Sequence, residues 1–275
     1  YPWPLLDRKS SNADERMSQI SNDNIEQCFA FCEELTNEWL NAEKIAINNV
    51  LFSEFTFGFL DVYDREKARL PYHINLLDLI HANENAHSRI LTQILQNKSS
   101  DYYILRSFLK RLDEPFSNLI LEDIKITAEI NRIDVRIRAR DFSLIIENKI
   151  YDAVDQDQQI KRYVEIEEGS NRGYYAGKNI YVIYLSNYPD ILPAETSLPI
   201  QLKEVLGDRF RAVSYHTTIL PWLEEDIMPF SIGKEEYLIS ALHQYVDYLQ
   251  GFFHQRKYEK YMKEQIMNYL NSKLE

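Results

Sequence analysis

A chain of 275 residues, 45% hydrophobic and 27% charged, has enough apolar matter for one large domain or a core with appendages, which excludes a disordered or low-complexity polypeptide. No run of about 18 apolar residues occurs, which excludes a transmembrane helix. The net charge of −12 weighs against a nonspecific duplex binder held by a broad basic surface.

The opening, YPWPLLDRKSSNADERM, starts without Met and without a basic-then-apolar leader. It reads as an expression remnant or the trimmed end of a longer chain. From Asn22 to about Asp61, Ile25, Cys28, Phe29, Cys32, Leu35 and Trp39 recur at helical spacing, and Leu51, Phe55, Phe59 and Leu60 continue the face. Residues 1–73 are therefore expected to form a helical segment, packed on the core or offered to a partner protein or second copy. Cys28 and Cys32, four apart, read as free thiols packed on one helix face. No second Cys or His pair accompanies them as a metal site would need, and free thiols fit a reducing, cytoplasmic location.

A second helix is predicted from about Ile74 to Leu95, with Asn83 placed to cap a break in it. Ile90, Leu91, Ile94 and Leu95 form its buried face, and steps of three and four back from Leu91 reach Ser88, His87 and Glu84. Taken alone, Glu84 is explained by the helix N-terminal dipole, worth about 0.3–1 kcal/mol. His87 is explained by core packing or capping.

The stretch from Glu122 to Ile150 alternates. Glu122–Ile130 reads as a first strand; whether Glu129 faces Asp134 depends on a bend near Asn131. Ile133, Val135, Ile137 and Ala139 then point one way, and Arg132, Asp134, Arg136 and Arg138 the other. Phe142–Ile150 is apolar until Glu147-Asn148-Lys149, and Arg140-Asp141 can close a hairpin between the two. With the turn centred there, positions whose numbers total 281 oppose one another, so Asp134 faces Glu147. Such neighbours sit about 4.5–5.5 Å apart at Cβ. Lys149 points to the same side. Two facing carboxylates repel unless a proton or cation lies between them, and hard oxygen ligands suit Mg²⁺ or Mn²⁺. Basic residues gather nearby, namely Arg132, Arg136, Arg138, Lys161, Arg162, Arg172 and Lys178, as a local nucleic-acid surface or a solvated face.

Asp152–Glu168 is predicted as a helix on which Gln159 and Tyr163 share a face. That pair can orient a phosphate, a base or a ligating acid, or supply a buried Tyr with a polar tip. Asn179–Ser186 is an apolar strand expected beside the Glu147 strand, parallel to it through the intervening helix. Residues 187–199 form a Pro-containing loop, and Arg211–Thr217 adds an edge strand. Its Ser-Tyr-His is no hydrolase triad, because neighbouring strand residues face opposite ways and no third partner is evident. From Glu224 on the chain is helical, with Tyr237, Leu238, Ala241, Leu242, Tyr245, Tyr248 and Leu249 on a stripe expected to pack on the N-terminal helices.

Asp134 within Arg132-Ile133-Asp134, then Glu147-Asn148-Lys149 closing an apolar strand, resembles the D…(D/E)-x-K signature of the PD-(D/E)XK nuclease superfamily. Gln159-Ile160-Lys161-Arg162-Tyr163 resembles the Q-x-x-x-Y motif of its RecB-like branch. Glu84-Asn85-Ala86-His87-Ser88-Arg89-Ile90-Leu91 is similar to the E-x-x-H-S-R-x-L helix of one of its families. No Pro precedes Asp134, a departure from the pattern. The resemblance implies an α/β fold with a restriction-endonuclease-like αβββαβ core, a mixed sheet flanked by helices, over residues 74–220. A helical C-terminal segment over 221–275 would pack on it. It implies a metal-dependent nuclease acting on DNA, with Glu84, Asp134, Glu147 and the Asn148 backbone carbonyl around Mg²⁺ or Mn²⁺. Asp134, Glu147, Lys149, Gln159 and Tyr163 would form the catalytic set, and Arg132, Arg136 and Arg162 would contact nucleic acid. The alternative is a catalytically idle nuclease fold serving as a nucleic-acid-binding or protein-interaction scaffold.

Overall fold

The computed structural model describes residues 22–49, 56–170, 179–233 and 235–274. Two compact units divide the chain: Tyr72–Lys260, and a second made of the residues up to Pro71 together with Tyr261–Glu275.

The second unit holds the helices Asn22–Asn49 (α1) and Thr56–Ala68 (α2). Helical periodicity in α1 is therefore real, but it signals no burial. Cys28, Cys32, Phe29, Leu35 and Trp39 are all exposed, so the expected packing of the two thiols is corrected. Periodicity defines a face without saying whether anything covers it. Leu51, Phe55, Arg172 and Lys178 lie outside the described residues. Within this unit Glu66 is buried and accepts from Tyr261 Oη and from Arg69.

In the Tyr72–Lys260 unit the helix expected over 74–95 is broken. Asn75 caps a single turn, Leu76–Leu79 (α3), through bonds from Leu77 N and Asp78 N. His81 then adopts φ 49°, and Asn83 Oδ1 accepts from Ala86 N at 3.0 Å to start Glu84–Leu95 (α4). Ser99–Arg111 (α5) follows.

A five-stranded mixed sheet forms the centre, in the order β1(Lys125–Ile130), β2(Ile133–Arg138), β3(Ser143–Lys149), β4(Ile180–Ser186), β5(Phe210–Ser214). The first three strands are antiparallel neighbours, and β3–β4 and β4–β5 are parallel. Asn131 and Arg132, with φ 58° and 64°, make the β1–β2 turn. Positive φ at both central residues matches the twist of a two-residue hairpin, and Asn tolerates that region well. The β2–β3 hairpin closes at Arg140-Asp141 through Ala139 N to Phe142 O, 2.9 Å, in the expected register of Val135↔Ile146 and Arg138↔Ser143.

Every residue of β3 is buried, because both faces of the sheet are covered. Leu144 and Ile146 pack with Leu91 of α4 and Leu105 and Phe108 of α5. Ile145 packs on the other face with Ile160 and Val164 of the helix Gln159–Ser170 (α6). Each such aliphatic side chain contributes roughly 1.5–3 kcal/mol on burial. The α6 helix begins at Gln159 rather than at Asp152. Residues 152–158 are instead a loop, with positive φ at Asp152 and Gln158 and with Gln158 N bonded to Thr196 O at 2.7 Å.

The helix Ile200–Leu206 (α7) precedes β5, an element the periodicity did not suggest. Ser214 ends β5 by accepting from Thr217 N, starting a helical stretch over 215–231 that mixes π and α turns. Glu236–Phe252 (α8) and Lys257–Leu274 (α9) complete the chain. Leu242, Tyr245 and Leu249 of α8 join the core of α4, α5 and β3, while Tyr237 is 93% exposed. The element order around the sheet follows the expected αβββαβ core, with helical extensions at both ends.

Candidate active site

The β2–β3 register, continued one step past Val135↔Ile146, sets Asp134 opposite Glu147. Asn148 N donates to Asp134 Oδ2 at 2.8 Å, fixing the acid on the strand beside it. Glu147 and Lys149 share the α6 face of β3, and Lys149 Nζ lies 3.1 Å from Glu147 Oε1. Asn148 points to the other face. Its Nδ2 donates to Ser88 Oγ at 2.9 Å and to Glu84 O at 3.1 Å, which ties the end of β3 to the first turn of α4. Glu84 itself accepts from Tyr151 N at 3.1 Å.

These elements enclose a cleft of about 450 Å³ that brings Glu84, Arg132, Asp134, Glu147, Asn148, Lys149, Gln159 and Tyr163 together. Gln159 and Tyr163 form the far wall. Gln159 Nε2 donates to Glu147 Oε1 at 2.6 Å and to Tyr163 Oη at 3.0 Å, while Gln159 Oε1 accepts from Gln156 N and Lys149 Nζ. The amide thus orients both the acid and the ammonium.

Burial, then repulsion from Asp134, pushes the Glu147 carboxyl well above its usual range. Asp134 is pushed up to about 6, chiefly by burial, with the Asn148 N–H and Lys149 opposing the rise. Burial alone would lower Lys149, but attraction to Glu147 and Asp155 outweighs it, so the ammonium is held above its usual value. Glu147 Oε2 is buried with no donor bonded to it. The Asp134 carboxylate lies opposite Glu147 across the β2–β3 pair, and the two could share a hydrogen bond only with one of them protonated.

No group of three or more His, Cys, Asp or Glu forms a metal cage among the described residues. The donor set nevertheless fits a hard divalent cation. A donorless buried carboxylate oxygen, a second carboxylate and backbone oxygens at an open cleft are what Mg²⁺ or Mn²⁺ uses, with water completing the shell.

Three features depart from the sequence reading. Arg136, expected to touch nucleic acid, is 6% exposed and lies 3.4 Å from Glu167 of α6. Arg138 is bidentate to the same carboxylate, so this strand face is a buried ion cluster. Arg162 donates to Asp157 O and Gln156 Oε1, bracing the loop before α6 and not lining the cleft, whereas Arg132 lines it. Asp155 was not anticipated. It reaches Lys149 Nζ at 3.7 Å from the 152–158 loop, and only the acidity of DAVDQDQ signalled it.

His87 is fully buried, with Nδ1 3.1 Å from Tyr245 Oη and Nε2 3.2 Å from Tyr151 Oη. Burial pushes its imidazole down to about 4. A folded pKa below the unfolded value of about 6.5 means stability that is complete above pH ~6.5 and lost as pH falls towards 4, in all about 3 kcal/mol. The urea midpoint of wild type should therefore fall relative to His87→Gln across that window. Parallel midpoints in the two proteins would remove His87 from the acid response.

Neither curated proteins nor solved structures yield a match to this chain. A sequence model of the PD-(D/E)XK nuclease superfamily matches residues 74–247, well over half of the 275 residues, and spans α4, the sheet, α6 and most of α8. The chain belongs to the PD-(D/E)XK nuclease superfamily.

Proposed function

We infer that the protein hydrolyses phosphodiester bonds in DNA with the aid of Mg²⁺ or Mn²⁺. The observation that carries this reading is the donorless Glu147 Oε2, with Asp134 opposite Glu147 across the hairpin and an ammonium on the other Glu147 oxygen. Asp134, Glu147, the Asn148 carbonyl and Glu84 would hold the ion. When bound, such an ion lowers the pKa of a water and offsets charge at the phosphate. Lys149, kept protonated by its anionic neighbours, donates to the attacking water or to the phosphoryl oxygens as their charge grows. Gln159 and Tyr163 keep Glu147 from rotating away. Arg132, on the rim, is placed for a phosphate of the strand.

Isothermal titration of Mn²⁺ tests the ion-holding set. Wild type should bind, and Asp134→Ala should bind at least about tenfold more weakly, since even residues that merely support metal ligands cost about 10–100-fold. Equal affinity in both proteins, or none in either, would sink the assignment. A second reading, a nuclease fold that binds partners without cutting, draws on α1, whose Phe29, Phe31, Trp39 and Ile45 are all more than half exposed. Metal binding with no cleavage of any DNA or RNA would favour it.

A further inference from the structure

We propose that Asp155 is a positioning residue for Lys149, acting as the second anchor that keeps its ammonium aimed into the cleft. This rests on the metal-dependent reading above. Lys149 Nζ stands between two carboxylates, 3.1 Å from Glu147 Oε1 and 3.7 Å from Asp155 Oδ1, with all three side chains no more than 7% exposed. Glu147 is committed to the ion, and a carboxylate that serves a divalent cation holds a neighbouring ammonium less firmly. Asp155 has no place in the ion-holding set and does not line the cleft, so its hold on Lys149 is independent of what the cleft contains.

Its own placement is built rather than incidental. Asp155 Oδ2 accepts from Ala194 N at 2.7 Å, and Tyr184 Oη lies 3.4 and 3.5 Å from its two oxygens. The loop carrying it is fastened at Gln158 N to Thr196 O and at Gln156 N to Gln159 Oε1. Gln159 Oε1 also accepts from Lys149 at 3.4 Å. The 152–158 loop thus connects a fixed backbone N–H on the 187–199 segment to the ammonium. Breaking the helix that the sequence pattern suggests over 152–158 is what lets Asp155 make this reach.

The test compares Asp155→Asn and Asp155→Glu with wild type, using duplex DNA with Mn²⁺. In Asp155→Asn, kcat should fall on the order of 10–100-fold, the scale of a displaced catalytic group. KM and Mn²⁺ affinity should stay within about twofold by the same reasoning, since positioning an ammonium holds neither substrate nor ion. Asp155→Glu should recover part of kcat. In metal-free protein, Asp155→Asn should lower the urea midpoint in wild type and distinctly less in a Lys149→Met background, the mark of direct coupling. An unchanged kcat would overturn the proposal. So would Mn²⁺ affinity falling with kcat, which would make Asp155 a ligand, or equal midpoint shifts in both backgrounds, which would confine it to anchoring the loop. If wild type neither cuts nor binds Mn²⁺, the proposed function fails, and the urea comparison alone decides whether Asp155 holds Lys149.

Discussion

Lys149→Met is expected to reduce DNA cleavage by roughly 10²–10³-fold, the cost of removing one donor aimed at developing transition-state charge. Met keeps most of the stem volume, so the cavity left in a site where Lys149 is only 5% exposed stays small. Mn²⁺ affinity should hold or improve, because the variant removes a positive charge 3.1 Å from Glu147. That opposition separates the roles of the site: Asp134→Ala loses the ion, while Lys149→Met keeps it and loses turnover. Cleavage of linear, circular and single-stranded DNA, and of RNA, with Mg²⁺ or Mn²⁺ supplies the measurement. Cutting by wild type that persists in Lys149→Met would remove the ammonium from the chemistry.

The parts of this molecule that were legible in advance are those decided by neighbours in the sequence. Alternation through Ile133–Ala139 and the turn at Arg140-Asp141 fix the register by period two alone, and Asp134 then has to meet Glu147. Asn83 is a cap because its side chain satisfies an amide three residues on. Tertiary partners decided the rest. Periodicity carries Asp152–Gln158 into the following helix, yet Ala194 N and Thr196 O, some 40 positions later, hold that segment as a loop. Arg132 and Arg136 share one strand parity, but Arg132 sits in a turn on the cleft and Arg136 meets Glu167, 31 residues on. Charge type and spacing are the same in the two cases; only the partner differs.

Glu167→Ala should destabilise the Tyr72–Lys260 unit by about 3–5 kcal/mol, the usual cost of removing one partner from a buried ion pair. Glu167 has no exposed surface; it accepts from Arg138 Nε and Nη2 at 2.8 and 2.9 Å, and from Ser143 Oγ at 2.7 Å. Burial alone would raise its carboxyl, but these bonds and the charge of Arg136 outweigh that, so its value is lowered. A lowered folded value contributes stability above the unfolded carboxyl range near pH 4.5, and that contribution is lost as pH falls through the folded value. Below about pH 4.5 the urea midpoint of wild type should therefore fall more steeply than that of Glu167→Ala. Replacing all three charged groups, Arg136→Met, Arg138→Met and Glu167→Leu, should restore most of the loss, because the penalty comes from stranded guanidinium groups and not from the missing attraction. The cluster also matters to the cleft, since α6 is pinned to the sheet at one end by Gln159 on Glu147 and at the other by Glu167. A loss below about 1 kcal/mol, the range of an exposed pair, would mean that both arginines reach water without Glu167. The nucleic-acid contact expected of Arg136 from its strand position would then stand again.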